Sequence, residues 1–537
     1  MSQLYKVLVS DNIAQKGIDI LEAAGIEVDF KPGQNREELL NSIGNYDGII
    51  VRSMTILNAE ALNKAKNLKV IGRAGTGYDN IDLDTATKNG IFVFNTPTGN
   101  TISAVEHTLG MILSLSRNIA QANQALHNDI WDRKKYMGVE VKGKTLGIIG
   151  LGRIGSRVAK RAQAFGMKVI ANDPYLAPKN AEKINVPLLP FKEVLEKSDY
   201  ISLHTPLTDE TYHILSHKEF AIMKETARVI NCARGQNIDT EALAAALEKN
   251  KIAGAAIDVH EEEPVKATNN PLLSFEDRVI MTCHLGGTTT EAMDNVSITA
   301  AEEVVSVLHS NLPESPLNIP AMDPNEFNRA KPYINLVTKL GNFMAKWKGN
   351  ERIVNLEVEY GGEVNQYNLK PMTLSFVKSI LEPILDDRIN LVNAMHVANE
   401  RGISLKESQI QNEGELKNII KVVLKTEQGE YSLAGTYLPI GFRVIEINGL
   451  RIDLELSGEF IIVSYQDKPG VIGKIGSILG EAEINIAIMQ VGRKSFGGDA
   501  IMTMQIDSKP SAEIMTKIKQ NLDDLDTNVK DLTYLKI

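Results

Sequence analysis

The chain has 537 residues, too many for one hydrophobic core, so its length predicts about three to four domains. Its 43% hydrophobic and 23% charged residues are ordinary for a globular protein, and the formal net charge of −10 argues against a general nucleic-acid binder. The two cysteines, Cys232 and Cys283, cannot form a disulfide framework and lack metal-site spacing, which predicts a reducing compartment and no metal. No signal peptide or membrane-spanning apolar run is evident, so the expected location is the cytoplasm.

The first part of the chain alternates apolar strands with amphipathic helices. We predict strands at residues 4–10, 25–30, 48–51 and 70–75, and helices at 12–24 and 35–43. This alternation is typical of βαβ units on a parallel sheet. It predicts a first α/β domain over residues 1–97, closed by the turn-forming sequence Asn-Thr-Pro-Thr-Gly-Asn at 95–100 and followed by a helix at 103–117.

A glycine-rich turn opens the next domain. An apolar strand at 145–149 precedes Gly150, Gly152 and Gly155, which form the pattern G-x-G-x-x-G, and a helix is predicted over 156–165. In such a turn the first glycine makes the bend, the second lets backbone approach a pyrophosphate, and the third lets helix pack on strand. Phosphates would bind the free N–H groups at the helix start. The alternative to a phosphate-binding site is a strand–turn–helix unit that binds no ligand.

The following strand supplies the acidic residue that a dinucleotide site needs. Residues 168–173 form an apolar strand ending in Asp173, 18 residues after Gly155, near where a carboxylate meets the ribose 2′-hydroxyl of NAD. No arginine follows it directly, which favours NAD over NADP. Further strands are predicted at 200–204, 228–231, 252–258 and 279–282, with a helix at 240–248. These elements predict a doubly wound NAD-binding domain over residues 98–285.

Ionisable residues follow several of these strands, where ligands of open α/β sheets bind. Histidine titrates in the range needed to take a hydroxyl proton, which suits His284, and a neighbouring carboxylate such as Glu263 would favour its charged form. Arg234 could hold a substrate carboxylate with two hydrogen bonds. Taken singly, each of these loop residues would more often be a solvated, inert side chain.

The rest of the sequence predicts a helix that returns to the first domain and two further domains. A helix at 289–310 returns toward the first domain, and residues 286–315 are predicted to complete it before a linker at 312–320. Residues 321–455 form a separate α/β domain, with helices at 335–345 and 370–385 and strands at 418–424 and 442–448, whose function the residues do not reveal. Residues 459–537 contain strands at 460–465, 486–492, 499–506 and 529–535, and helices at 470–481 and 512–522. Their βαββαβ order predicts a split-βαβ sandwich.

Four runs of the second domain resemble one enzyme family. They are Gly-Leu-Gly-Arg-Ile-Gly (150–155), Asn-Cys-Ala-Arg-Gly (231–235), Ile-Asp-Val-His-Glu-Glu-Glu-Pro (257–264) and His-Leu-Gly-Gly-Thr-Thr-Thr-Glu-Ala (284–292). Together they resemble the D-isomer-specific 2-hydroxyacid dehydrogenases, over residues 1–315. Residues 50–53, 72–82, 95–100 and 131–138 are most similar to members that use NAD to oxidise 3-phospho-D-glycerate toward L-serine. The resemblance implies a flavodoxin-like substrate domain, a Rossmann domain and a homo-oligomer, either dimer or tetramer.

The resemblance also implies roles for individual residues. His284 would be the acid/base, Glu263 its partner and Arg234 the carboxylate anchor. Beside the three glycines, implied cofactor contacts are Thr76, Arg153, Ile154, Asp173, Thr205, Cys232, Ala233, Asp258, Gly286 and Gly287. Implied substrate contacts are Arg52, Ser53, Arg73, Gly75, Asn100, Arg133 and Lys135, of which the last two could equally lie on a solvated surface. Cys283 stands where the family usually has proline, which could alter local backbone and redox sensitivity.

The C-terminal unit resembles an ACT domain, a ferredoxin-like module that often binds amino acids. Tyr-Gln-Asp-Lys-Pro-Gly (465–470) and Glu-Ile-Asn-Ile (483–486) carry this resemblance. It implies that L-serine is an effector bound between two such units by Tyr465, Asp467 and Asn485. The alternative is a dimerisation surface that has lost effector binding. The 321–455 domain resembles the extra domain of longer family members, which takes part in substrate- or anion-linked regulation.

Two other functions remain open from the sequence. One is a dehydrogenase of another 2-hydroxy or 2-oxo acid, such as 2-oxoglutarate; the extra arginines favour a phosphorylated substrate. The other is a NAD-sensing corepressor, since such binding proteins share the dehydrogenase fold and can keep its arginine, glutamate and histidine.

Overall fold

The computed structural model describes residues 4–266, 268, 270–320, 322, 324–385, 388–411 and 416–537. Its named strands form four sheets, two of them fully parallel. The predicted fold class, two doubly wound units, a further α/β unit and a C-terminal βαββαβ unit, is confirmed. Within the described part of the chain, no helix is both long and apolar enough to cross a lipid bilayer.

The first sheet is built from short strands, which are mostly buried except for the edge strand β2, as a parallel sheet covered on both faces requires. Its strands are β1 (Lys6–Val9), β2 (Glu27–Phe30), β3 (Gly48–Val51), β4 (Val70–Arg73) and β5 (Phe92–Asn95), and its helices are α1 (Gln15–Ala23), α2 (Arg36–Ser42), α3 (Ala59–Lys64) and α4 (Leu83–Lys88). The strand order is β2-β1-β3-β4-β5. The four strands and two helices predicted here are confirmed, with shorter bounds; β5, α3 and α4 were not predicted.

The second sheet has six parallel strands. They are β6 (Thr145–Ile149), β7 (Lys168–Asn172), β8 (Tyr200–Leu203), β9 (Arg228–Asn231), β10 (Gly254–Ile257) and β11 (Val279–Met281); the helices are α5 (Thr101–Arg117), α6 (Ile119–His127), α7 (Arg153–Ala164), α8 (Pro178–Glu182), α9 (Phe191–Lys197), α10 (His217–Ile222) and α11 (Thr240–Glu248). The order β11-β10-β9-β8-β6-β7 reverses at β6, so the crevice used by dinucleotide-binding folds opens beside the glycine-rich turn.

A long helix connects the second sheet back to the first. Helix α12 (Thr290–Leu308) packs against α1, β3 and β4. The Ser297 hydroxyl accepts a hydrogen bond from the backbone N–H of Ala14 at 2.9 Å, and Lys16 lies 2.7 Å from Asp294. The apolar face of this helix, including Val296 and Val304, belongs to the same buried cluster as the first sheet.

The third sheet is mixed and more extensive than predicted. Its elements are α13 (Pro324–Lys348), β12 (Ile353–Gly362), α14 (Lys370–Leu381), α15 (Ala394–Glu400), β13 (Ser404–Ile410), β14 (Asn418–Thr426), β15 (Glu430–Leu438), β16 (Gly441–Ile447) and β17 (Leu450–Glu455), and the strand order is β13-β12-β14-β15-β16-β17. Strands β12, β13, β15 and β17 were not predicted. The helix predicted to end at 385 ends at Leu381, two residues before Pro383, which has no backbone N–H to continue the helical hydrogen bonds.

The fourth sheet has the predicted βαββαβ order. Its elements are β18 (Glu459–Gln466), α16 (Val471–Glu481), β19 (Ile486–Arg493), β20 (Asp499–Ile506), α17 (Ala512–Asp523) and β21 (Asp531–Lys536), in the strand order β19-β20-β18-β21. One face packs on α16 and α17, while Phe460 and Leu535 on the other join the apolar core that contains α13. Trp347 of α13 donates from Nε1 to Asp531 at 2.5 Å. The third and fourth sheets therefore share one core.

Candidate active site

A cleft of about 990 Å³ opens between the first two sheets, at the carboxyl ends of their strands. The predicted site residues that line it are Ser53, Arg73, Thr76, Asn100, Arg153, Ile154, Thr205, Cys232, Ala233, Arg234, Asp258, Glu263, His284, Gly286 and Gly287. The predicted residues outside its lining are Arg52, Gly75, Arg133, Lys135, Gly150, Gly152, Gly155, Asp173 and the three of the C-terminal unit. One cleft thus gathers residues from positions 53 to 287.

His284 and Glu263 form a hydrogen-bonded pair in this cleft. His284 Nδ1 lies 2.9 Å from Glu263 Oε2, and the backbone N–H of His260 donates to Oε1 of the same carboxylate at 3.0 Å. Burial would raise the pKa of Glu263, but the hydrogen bonds from His284 and from the His260 backbone outweigh it and lower that pKa. Because a carboxylate only accepts, Nδ1 carries the hydrogen, and Nε2 is the nitrogen that can take a proton.

Asp258 ties the end of β10 to the loop that carries His284. Its Oδ1 accepts from Thr282 Oγ1 at 2.5 Å and from the backbone N–H of Leu285 at 2.7 Å, and its Oδ2 accepts from Gly286 N at 2.8 Å. Burial would raise the pKa of Asp258, but hydrogen bonds, including one from His107, hold it well below its usual range. The loop needs this support because His284 has a φ of 57°, a left-handed backbone uncommon outside glycine.

Arg234 crosses the cleft from the second sheet to the first. It follows β9, and its Nε donates to Oδ2 of Asp79, after β4, at 2.9 Å. Its Nη1 donates to the Ala233 carbonyl at 2.7 Å. Gly77 permits this approach, because a Cβ at that position would overlap Arg234 Nη2.

A second guanidinium group, that of Arg73, lies close to Arg234, and a third, that of Arg52, lies close to Arg73. Burial lowers the pKa of Arg73 to about 10, with further lowering by the positive charges of Arg234 and Arg52. Burial also lowers the pKa of Arg52. The Nε atoms of Arg52 and Arg73 are both buried, with no hydrogen-bond partner among the described residues. Clustered cations with unused donors are suited to an anion that carries more than one charge.

The residues around the glycine-rich turn fit a dinucleotide. No side chain caps the start of α7, so its first N–H groups are available to phosphate, and Arg153 there lines the cleft. Gly155 is required for close packing, since a Cβ would overlap the Gly150 carbonyl oxygen. Thr205 Oγ1 is buried in the cleft wall with no partner in the described part of the chain. Asp173 follows β7, and its Oδ2 accepts from Leu151 N at 2.9 Å.

The cleft also contains ionisable residues that the sequence analysis did not select, among them Asp79, His204 and His260. Asp79 lies inside the motif at 72–82 and follows a strand, which was an available signal. Burial lowers the pKa of His204 to about 4, and its Nε2 lies 2.9 Å from Ser202 Oγ. His260 Nε2 donates to the Thr282 carbonyl at 2.9 Å, which links the segments that carry Glu263 and His284.

The two cysteines occupy different environments. Burial raises the pKa of the Cys232 thiol to about 12, with a smaller contribution from the negative charge of Asp258. Cys283 is exposed. His107, Cys232 and Asp258 offer three ligand atoms within 4.8 Å of one another. Asp258 Oδ1 already accepts from Thr282 and Leu285 and lies 3.1 Å from His107 Nε2, and Oδ2 accepts from Gly286, so this cluster is better explained as support for the His284 loop.

Arg133 and Lys135 are exposed on the segment that follows α6, outside this chain's own cleft lining. Lys135 Nζ lies 3.4 Å from Asp277. The same segment exposes apolar side chains, with Trp131 79% and Met137 76% exposed. The structure therefore does not bring Arg133 or Lys135 into the lining of this chain's own cleft.

The three predicted effector residues do not meet within one chain. Tyr465 is 1% exposed in the apolar core of the last unit, and burial raises its pKa to about 12. Asp467 pairs with Arg493 Nη1 at 2.5 Å. Asn485 precedes β19 at the sheet end where Ile486 pairs with Ile506, whereas Tyr465 pairs with Ala500. Six residues of strand separate these ends by about 20 Å.

Three family models match separate parts of the chain. Residues 109–286 match the D-isomer specific 2-hydroxyacid dehydrogenase NAD binding domain. Residues 329–448 match the D-3-phosphoglycerate dehydrogenase intervening domain, and residues 460–523 match the ACT domain.

Some similar proteins cover nearly the whole chain, and others cover only part of it. D-3-phosphoglycerate dehydrogenase of Bacillus subtilis is 42% identical over 539 residues, covering 99% of both chains, and that of Archaeoglobus fulgidus is 39% identical, covering 99% of this chain and 100% of the relative. A structure of Aquifex aeolicus D-lactate dehydrogenase complexed with NAD and lactic acid has a TM-score of 0.51 at 30% identity, covering 57% of this chain and 94% of that one.

Proposed function

The chain belongs to the D-3-phosphoglycerate dehydrogenases and is an NAD-dependent oxidoreductase, and we propose that its cleft oxidises 3-phospho-D-glycerate to 3-phosphooxypyruvate. This reaction is the first step of L-serine biosynthesis. The observation that carries the proposal is the presence of His284, Glu263 and Arg234 in one cleft beside the uncapped start of α7.

In the proposed reaction, His284 Nε2 takes the proton of the C2 hydroxyl while the C2 hydrogen leaves as a hydride. Bound NAD supplies the hydride acceptor. Glu263 keeps the hydrogen on Nδ1 and stabilises the imidazolium that forms. Arg234 holds the substrate carboxylate through paired N–H groups, so that C2 stays beside the imidazole.

The buried cations support a phosphorylated substrate. Arg73 and Ser53 line the cleft, whereas Arg52, next to Ser53 in the chain, is outside its lining. We assign the substrate phosphate to Arg73 and Ser53, with Arg52, Gly75 and Asn100 shaping the same subsite. An unphosphorylated 2-hydroxy acid would leave these guanidinium donors without a partner, which is costly for buried charges.

For the cofactor, we assign the pyrophosphate to the turn of Gly150, Gly152 and Gly155 and to Arg153 and Ile154, and the adenosine ribose to Asp173. The nicotinamide end is assigned to the remaining predicted cleft residues, namely Thr76, Thr205, Cys232, Ala233, Asp258, Gly286 and Gly287. The unpartnered Thr205 hydroxyl supports this assignment.

We further propose that the enzyme is a homo-oligomer in which residues 119–137 contact a second copy. Ile119, Leu126, Ile130, Trp131 and Met137 are each more than half exposed there, and monomers rarely expose that much apolar surface in one segment. In such an assembly Arg133 and Lys135 would reach the partner's cleft. Trp131→Asp should lower the mass measured by light scattering; an unchanged mass would contradict this interface.

The ACT domain fits feedback by L-serine. Because Asn485 and Asp467 lie at opposite ends of the sheet, we propose that one serine site takes Asp467 from one ACT domain and Asn485 from another. Buried Tyr465 would support the site from beneath. Asp467→Ala should then abolish inhibition by serine without changing uninhibited turnover.

We propose the domain division expected from the sequence. Residues 1–97 with 286–315 would bind substrate, 98–285 would bind NAD, 321–455 would be the intervening regulatory domain, and 459–537 the ACT domain. Contacts such as Asn390 Nδ2 to the Gly90 carbonyl at 2.6 Å would link the intervening domain to the substrate domain. The cytoplasmic location stays a prediction.

The test follows NADH absorbance with 3-phosphoglycerate and NAD, with and without L-serine. We expect activity that serine suppresses, and His284→Ala should lose most turnover while keeping NAD affinity. Faster oxidation of another 2-hydroxy acid with NAD, or faster reduction of 2-oxoglutarate with NADH, would overturn the substrate assignment. NAD binding without turnover of any such acid would favour the corepressor class.

A further inference from the structure

Asp79 is an acidic residue in a cleft that has to bind an anion, and the proposed reaction gives it no role. Its side chain is 53% exposed, and its partner Arg234 lies 155 residues away in sequence, on the other side of the cleft. Ion pairs this exposed contribute little to stability. A carboxylate at this position therefore needs a functional explanation.

The geometry of Arg234 supplies one. A guanidinium can bind a carboxylate through either of two edges, Nε with Nη2 or Nη1 with Nη2. Asp79 occupies Nε, and the Ala233 carbonyl takes one N–H of Nη1. Nη2 lies beside Gly77, whose lack of a side chain leaves room for it. The edge with an unused N–H on both nitrogens is Nη1 with Nη2.

We propose that Asp79 is a positioning residue for Arg234, which takes the Nε edge and leaves the Nη1–Nη2 edge for the substrate carboxylate. This inference rests on the proposed role of Arg234 as the carboxylate anchor. Asp79 on the first sheet and the Ala233 carbonyl on the second fix the guanidinium plane from both sides. The ordering of a flexible side chain is then complete before substrate arrives.

The opposite expectation follows from charge alone. If Asp79 only added negative charge, it would repel phosphoglycerate, and its removal would lower KM. If it positions Arg234, its removal leaves the guanidinium free to rotate, and KM rises. The sign of the change in KM separates the two explanations.

The experiment compares Asp79→Ala, Asp79→Asn and the control Asp84→Asn, which removes an exposed acid from the first turn of α4. In Asp79→Ala we expect KM for 3-phosphoglycerate to rise about tenfold, because that is the typical effect of losing one hydrogen bond to a charged group. The KM of Asp79→Asn should rise less, because the asparagine amide oxygen still accepts a hydrogen bond from Arg234 Nε. The control's KM and the NAD dissociation constant of all three variants should match the wild type.

Arg234→Ala and the double variant distinguish this inference from the proposed function. If Arg234→Ala leaves KM unchanged, the carboxylate-anchor assignment fails. If Arg234→Ala raises KM but Asp79→Ala leaves it unchanged or lowers it, only the positioning role fails. The double variant should have the KM of Arg234→Ala alone, and a further rise from removing Asp79 would overturn the inference.

Discussion

Replacement of Glu263 by glutamine tests the catalytic pair most directly. The Glu263 carboxylate accepts two hydrogen bonds, from His284 Nδ1 at 2.9 Å and from the His260 backbone at 3.0 Å. A glutamine has one acceptor oxygen for these two donors. When that oxygen accepts from the backbone, the amide N–H₂ faces Nδ1, and the imidazole hydrogen moves to Nε2. In that tautomer His284 cannot take the substrate proton.

We expect kcat of Glu263→Gln to fall about 10²-fold, the lower end of what a positioned base contributes. The lower end applies because the His284 and Glu263 side chains are 46% and 38% exposed, so water replaces part of the lost interaction.

The assay is NADH formation at saturating NAD across the pH range. The control is Glu248→Gln, which removes the same charge from an exposed position at the end of α11. Turnover equal to the control's would refute the role assigned to this pair.

Two further predictions concern charge. Arg73→Ala should lower kcat/KM for 3-phosphoglycerate far more than for an unphosphorylated 2-hydroxy acid, because its buried guanidinium is assigned to the phosphate; equal losses would contradict that assignment. The hydrogen bond from Tyr46, with further ones from Lys31 and Lys6, lowers the pKa of Asp29 from 3.8 to about 2. Because the folded-state pKa lies below the unfolded one, Asp29 stabilises the protein above about pH 4, and this contribution is lost as the pH falls toward 2. Asp29→Asn should therefore lower Tm at pH 7 more than at pH 3, whereas an equal loss at both would refute the reasoning.

Most of the strand and turn pattern of the first 290 residues could be predicted because its signals are local, although β5 (Phe92–Asn95) was missed. A buried parallel strand is a short apolar run, and the glycine-rich turn can be recognised from six consecutive residues. The positions of Arg234, Glu263 and His284 after strands were enough to expect them at one sheet edge. The third sheet was harder, because strands such as β12 (Ile353–Gly362) are half-buried and carry polar residues that hide an apolar run.

Tertiary structure decided which side chains meet across sheets. The sequence placed Arg52, Arg73 and Arg234 in one site, but only the fold puts Arg73 in the cleft lining and leaves Arg52 outside it. It also pairs Arg234 with Asp79, leaves Arg133 and Lys135 outside their own cleft lining, and joins the ACT sheet to the core of the preceding unit.

The physical reason is the distance along the chain over which each effect acts. Hydrophobic periodicity and turn chemistry depend on a few neighbouring residues and can therefore be recognised from the sequence alone. The direction of a long side chain depends on backbone and charges brought together from segments more than a hundred residues apart, and only the packed sheets determine it.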